Sequence, residues 1–266
     1  MLFRSMIWNQ SETNIWVAGH RGNPAECPEN TMASFRNAME AGLDMIELDI
    51  QMSKDGELVI MHNLTVDQTT DGAGPIREMT LKEIRSLDAG SKFSGEYQGE
   101  RVPLFEEFLE LTRKYPDMTY DFELKEYPTA GNESRAYETA DRVISLIEEY
   151  GLGDKCVLNA FSAVLLQYIH DKYEGRYKLH GYYPKSLLGT WKDRDPYDIL
   201  YCACVCEDFT RENFGRLKAK GIDTWAGTRF KNREMAELAR SCGVTLITCD
   251  NPREVMGILR EMGLHK

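Results

Sequence analysis

Short apolar runs alternate with amphipathic segments along most of this chain, and polar residues collect where the runs end. That rhythm constrains the fold more than any other feature. Nine runs read as strands, at 15–18, 45–50, 58–61, 118–124, 156–158, 177–179, 199–205, 222–225 and 244–248. Most are rich in β-branched or aromatic residues and bounded by Gly, Asp or Asn. Helices fall between them. Met32, Phe35, Ala38 and Met39 recur at helical spacing, with Asn30 or Thr31 as the cap and Gly42 as the stop. Pro103 opens another helix, whose apolar face is Leu104, Phe105, Phe108 and Leu111. Later helices are predicted at 137–150, 163–173, 212–220, 233–241 and 252–262.

Repeated strand–helix units require a parallel sheet with helices outside it. About eight such units in 266 residues predict a (β/α)8 TIM barrel, one domain over 1–266. Nine runs for eight places leave one run as an extra. The chain has no G-x-G-x-x-G and no G-x-x-x-x-G-K-[ST], which argues against a nucleotide-binding open sheet. Residues from about 63 to 102 carry TTDGAGP and KFSGEYQGE around a short helix at 81–87. The stretch is too long for an ordinary βα loop. It is expected to be a small insertion after the third strand, on the barrel's C-terminal face, where it can shape a site.

Charge narrows the partners. Thirty-two basic against 43 acidic residues give a net charge of −11, and there is no long Lys/Arg run. The chain therefore has no general attraction for nucleic acid or an anionic membrane. No apolar stretch reaches the roughly 18 residues of an integral membrane segment. Residues 1–14 lack a continuous apolar signal core, so a cytoplasmic protein acting on a small molecule is expected. The sequence leaves the oligomeric state open. Seven cysteines without a C-x-x-C pair do not make a disulfide framework. Cys202, Cys204 and Cys206 would share one face of a strand, as a soft-metal site or as small buried hydrophobes.

In a barrel, chemistry gathers at the C-terminal strand ends. Here those positions carry His20-Arg21, then Glu47 and Asp49, then His62-Asn63, then Asp121, Glu123 and Lys125. Residues two apart on a strand point the same way, so Glu47 with Asp49, and Glu123 with Lys125, face inward together. Clustered inward carboxylates need a cation, and all-oxygen ligands suit Mg²⁺, Ca²⁺ or Mn²⁺. A salt-bridge network with Arg21 and Lys125 is the alternative. His20 and His62 are suited to paired acid/base work. His180 follows another apolar run and is a candidate to line the pocket, whereas His170 and His265 read as structural or solvent-facing.

At this point the chain resembles the glycerophosphodiester phosphodiesterase family. The resemblance rests on His20-Arg21-Gly22, Pro28-Glu29-Asn30-Thr31, Asp44-Met45-Ile46-Glu47-Leu48-Asp49, Lys54-Asp55-Gly56, His62 and Thr69-Thr70-Asp71-Gly72. It continues in Glu123-Leu124-Lys125 and more weakly through Asp250-Asn251-Pro252. The resemblance implies a barrel with a small insertion that hydrolyses glycerophosphodiesters to glycerol 3-phosphate and an alcohol. By the same token Glu47, Asp49 and Glu123 would hold one divalent cation and His20 and His62 would be the acid/base pair. Arg21 and Lys125 would contact phosphate, and Glu29 would lie near the metal or a substrate hydroxyl. Alternatives are a phospholipase D-like or cyclic-phosphate-forming lyase activity on lysophospholipids, or an inactive phosphodiester-binding protein. An amidohydrolase barrel would need His-x-His, and Ala18 and Gly22 flank His20 at those spacings. Two departures stand out. Asn63 follows the second His where the family usually has Asp, and the late strand reads Asp223-Thr224-Trp225-Ala226-Gly227-Thr228 where many members have Trp-Thr-Val-Asn. Trp225 is expected either to stack on the glycerol moiety or to pack in the core.

Overall fold

The structure, a computed structural model, describes Trp8 and residues 14–191, 193–227, 230 and 232–266. Most of the stretch read as lacking a signal core, and Thr228, lie outside the described residues. All nine predicted strands form: β1 (Trp16–Gly19), β2 (Met45–Met52), β3 (Leu58–Ile60), β4 (Thr119–Leu124), β5 (Cys156–Asn159), β6 (Lys178–Tyr183), β7 (Cys202–Val205), β8 (Asp223–Ala226) and β9 (Leu246–Cys249). Eight of them close a ring of parallel pairings in the order β1-β2-β4-β5-β6-β7-β8-β9 and back to β1. This is a TIM barrel. Around it run α1 (Met32–Glu40), α2 (Leu81–Arg85, in the insertion), α3 (Phe105–Thr112), α4 (Glu133–Glu149), α5 (Ala163–Lys172), α6 (Arg211–Ala219), α7 (Arg233–Cys242) and α8 (Pro252–Glu261). Among the described residues, only two short 3-10 turns, at Lys185–Leu188 and Pro196–Asp198, stand between β6 and β7. No helix of the described residues is long and apolar enough to cross a membrane.

The extra run is β3. It was expected as the third barrel strand and is not one: it pairs antiparallel with the upper half of β2, Ile50 opposite Ile60 and Met52 opposite Leu58. The physical reason is the length of β2. Its lower end pairs with the short β1, at Met45 and Ile46. Its upper end outruns β1 and leaves an edge open, which the hairpin covers. Val59 of β3 then builds a separate small core with Met61, Val66, Ile76, Ile84, Ala89 and Val102, which follow it.

The barrel strands alternate as their pleat requires. Leu48, Ile50, Phe122 and Leu124 point outward, fully buried beneath the helices. There α1 and α3 supply aromatic partners, with Phe35 edge-on to Phe108 at 4.9 Å and Phe105 edge-on to Phe122 at 5.1 Å. Thr31, not Asn30, caps α1 by accepting from the Ser34 amide. That frees Asn30 for the barrel mouth.

Candidate active site

β2 and β4 run in register, with Glu47 opposite Asp121 and Asp49 opposite Glu123. Four carboxylates therefore face the interior from two adjacent strands. Oxygens of Glu47, Asp49 and Glu123 lie within 4.8 Å of one another, and all three residues are buried.

Each is held. Arg21 sits in the left-handed region at φ 56°, a conformation rare outside glycine, and from there its amide donates to Glu47 Oε2 at 2.8 Å. The turn closes through Gly22 at φ 91°, where a Cβ would stand 2.3 Å from Ser34 Oγ. The Arg21 guanidinium donates to Glu29 Oε1 at 2.9 Å and lies 3.5 Å from Asp49 Oδ2. Asn30 Nδ2 donates to Asp49 Oδ2 at 2.7 Å. Lys125 Nζ donates to Glu123 Oε1 at 2.6 Å and lies 3.5 Å from Asp49 Oδ1. The hydroxyls of Tyr127 and Tyr182 donate to the two Glu123 oxygens at 3.3 and 3.4 Å.

The salt-bridge network thus exists, but it does not close. Arg21 and Lys125 are shared among Asp49, Glu123 and Glu29. Glu47 Oε1 and Asp49 Oδ1 are left buried without a hydrogen-bond partner. Buried polar atoms are ordinarily satisfied, so two unmade contacts among three hard oxygen donors fit a divalent cation. The electrostatics agree. Burial pushes the Glu47 carboxyl well above its ordinary range, Asp49, Glu123 and Asp121 add to this, and Arg21 opposes it. Burial also raises Glu123, and Asp49 adds to it against the pull of Lys125. Burial works to raise Asp49 too, but Lys125, Arg21 and His62 overcome it and hold it below its ordinary value.

His20 and His62 reach the same mouth by different routes. His20 follows β1, and its Nδ1 lies 2.6 Å from Asp250 Oδ1, just beyond β9. His62 comes back down from β3, tied to the carboxylate strand where the Met61 amide donates to Asp49 O at 2.9 Å. Its Nδ1 lies 2.9 Å from Asn63 Oδ1, and Asn63 Nδ2 donates to Gln68 Oε1 at 2.7 Å, which fixes the amide's direction. Gln51 Nε2 donates to the carbonyls of Met61 and Asn63 and steadies that exit. Both imidazoles therefore carry Nδ1–H toward an acceptor. Burial lowers the His62 pKa; Asp49 opposes this, and Lys125 and Arg21 reinforce it. A cleft of about 700 Å³ opens beside His20, lined also by Arg21, Glu29, Phe230, Asp250 and Glu254.

Two candidates lie elsewhere. Trp225 is 1% exposed, donates from Nε1 to Asp223 Oδ2 at 3.0 Å and packs 4.7 Å from the His180 ring, so it belongs to the barrel interior and presents no glycerol platform. His180 does not line the mouth. It is buried beneath the carboxylates, Nδ1 2.8 Å from Asp121 Oδ2. Cys202 and Cys204 are buried free thiols of β7 and Cys206 is half-buried. Among the described residues the metal-ligand cluster is the three carboxylates, not these sulfurs. His170 contacts Asp171 and Arg194, and His265 contacts the Ile15 carbonyl, both away from the mouth. Sequence reasoning missed Asp250, Asn30, Tyr127 and Tyr182 as site residues. Asp250 had a readable signal, since it directly follows an apolar run as His20 does.

Comparison with known proteins points one way. The model of the glycerophosphoryl diester phosphodiesterase family matches residues 20–254. A glycerophosphodiester phosphodiesterase of Caldanaerobacter subterraneus is 32% identical over 251 residues, covering 93% of this chain and 98% of that protein. A phosphodiesterase of Oleispira antarctica, solved in complex with the product sn-glycerol-3-phosphate, superposes with a TM-score of 0.80 at 25% identity, over 92% of this chain and 96% of that one. A structure from Silicibacter pomeroyi described as a glycerophosphoryl diester phosphodiesterase gives 0.81 at 23% identity over 95% of each chain, a likeness of fold. With a barrel of this topology and a family match spanning nearly all of it, the chain belongs to the glycerophosphoryl diester phosphodiesterase family.

Proposed function

We propose that this protein hydrolyses glycerophosphodiesters to glycerol 3-phosphate and an alcohol, in a reaction that depends on one divalent cation and on His20 and His62. The observation that carries this reading is the cluster of three buried carboxylates, with Glu47 Oε1 lacking a hydrogen-bond partner, set among Arg21, Lys125 and the two histidines. Glu47, Asp49 and Glu123 are the residues that would hold the cation, Mg²⁺, Ca²⁺ or Mn²⁺. When bound it would supply positive charge against the phosphoryl oxygens.

The chain's own residues do the rest. A phosphodiester anion repels nucleophiles, and Arg21 and Lys125 offset that charge and orient the phosphate. His62, whose burial favours the neutral ring, accepts the nucleophile's proton at Nε2. His20, protonated on both ring nitrogens with Nδ1–H held by Asp250, gives its Nε2 proton to the departing alkoxide. Glu29 braces Arg21 and faces the cleft, where it can accept a substrate hydroxyl. Because the protein's overall field is negative, these local cations matter more than they would on a basic surface.

The test is release of glycerol 3-phosphate from glycerophosphocholine with Mg²⁺, Ca²⁺, Mn²⁺ or EDTA, comparing wild type with His20→Ala. Release that needs a metal and is lost in the variant is expected. Release that survives EDTA, or that His20→Ala leaves unchanged, would overturn the mechanism.

A further inference from the structure

The insertion grips the loop that builds the site. Within 23–31, Glu29 and Asn30 hold Arg21 and Asp49, and the Asn30 amide donates to the Arg21 carbonyl at 3.0 Å. On one side this loop is tied to the barrel, the Ala25 amide donating to Asp250 O at 3.1 Å. On the other side it is tied to the insertion. The Tyr97 hydroxyl donates to Glu26 O at 2.9 Å and lies 3.2 Å from the buried Cys27 sulfur. Glu100 Oε1 accepts from the Ala33 amide at 3.2 Å, at the start of α1.

The turn that presents Tyr97 is itself built for the purpose. Asp88 accepts from the amides of Gly90, Ser91 and Gly99, each at 2.8 Å, and so folds residues 88–99 into a closed loop. Gly90 is required there, because a Cβ would lie 2.0 Å from the Tyr97 carbonyl oxygen. Asp88 therefore sets Tyr97, Tyr97 sets Glu26 and Cys27, and the next residues of the same loop set the guanidinium and one carboxylate.

We propose that Tyr97 is a positioning residue for phosphate binding, acting through the 23–31 loop on Arg21, and that the insertion serves to hold this loop. The inference rests on the function proposed above. It assigns Tyr97 no contact with substrate.

The experiment compares wild type, Tyr97→Phe and Glu100→Gln as intact proteins with Mg²⁺. Tyr97→Phe keeps the ring, which meets Phe93 edge-on at 5.6 Å, and removes only the hydroxyl. Inorganic phosphate is titrated by calorimetry, and kcat and KM are measured on glycerophosphocholine. Loss of one hydrogen bond predicts a phosphate Kd and a KM about five-fold higher in Tyr97→Phe, with kcat held within about two-fold. Glu100→Gln is expected to shift both the same way by less. A melting temperature that falls while Kd and KM stay at wild-type values overturns the inference, since that is a merely structural role. A kcat that falls with KM unchanged overturns it as well. Wild type that neither binds phosphate nor turns over substrate overturns the proposed activity itself, a result distinct from a variant that matches a working wild type.

Discussion

The two histidines of the site have the same geometry and opposite company. His20 leans on Asp250, an anion with a half-open side chain, at the seam where β1 meets β9. His62 leans on Asn63, a neutral amide, just past a strand that runs antiparallel to β2. Each partner fixes the same tautomer, so orientation does not need charge. What differs is the charge of the partner. At His62 burial disfavours an imidazolium, Asp49 and the Asn63 contact oppose this, and Lys125 and Arg21 reinforce it.

Several changes would break or sharpen this contrast. Replacing either ring, His62→Ala or His20→Ala, is expected to lower kcat by about 10² to 10⁴, the range for a positioned acid or base. If one variant stays within about ten-fold of wild type, the two-histidine scheme is wrong. Glu47→Gln touches neither ring and should cost about 10² to 10³ through lost charge stabilisation, with weakened Mn²⁺ binding seen by calorimetry. Unaltered Mn²⁺ affinity would remove Glu47 from the ligand set. Asp250→Asn makes the His20 side resemble the His62 side, keeping an acceptor and deleting the charge. A loss of about ten-fold is predicted, as for other orienting partners. The smallest effect is the reverse swap. On the proposed scheme His62 is a neutral base whose pKa burial lowers, so the acidic limb of kcat/KM is expected below the ordinary 6.5. Asn63→Asp adds a carboxylate, raises that pKa and should move the limb up by roughly one unit. A pH profile identical to wild type would show that His62 is not the group titrating.

Much of this was legible in the sequence, for physical reasons. The strands announced themselves because the face of a barrel strand that lies under the helices must be apolar, as Ile46, Leu48 and Ile50 are. The carboxylates were legible because period-two spacing places Glu47 and Asp49 on one face whatever the fold. The direction of β3 was not, since Leu58–Ile60 is equally apolar as a barrel strand or as a hairpin arm. Only the unequal lengths of β1 and β2 decide it. The cap was left open between Asn30 and Thr31 because asparagine suits a cap and a carboxylate partner equally well. Trp225 shows the opposite failure: an aromatic near a strand end fits a platform or a core, and its neighbours Asp223 and His180 decide for the core.

The contact between His20 and Asp250 joins residues 230 apart in the chain. β1 likewise finds β9 only after everything between them has emerged. During synthesis the first half of the barrel can bury its aromatic cluster long before Asp250 exists outside the ribosome. Turnover therefore reports a different event from collapse. In refolding from denaturant, activity should return after the burial of Phe108 and Phe122, at the rate of ring closure, which is the slow, non-local step of a fold with such distant pairings.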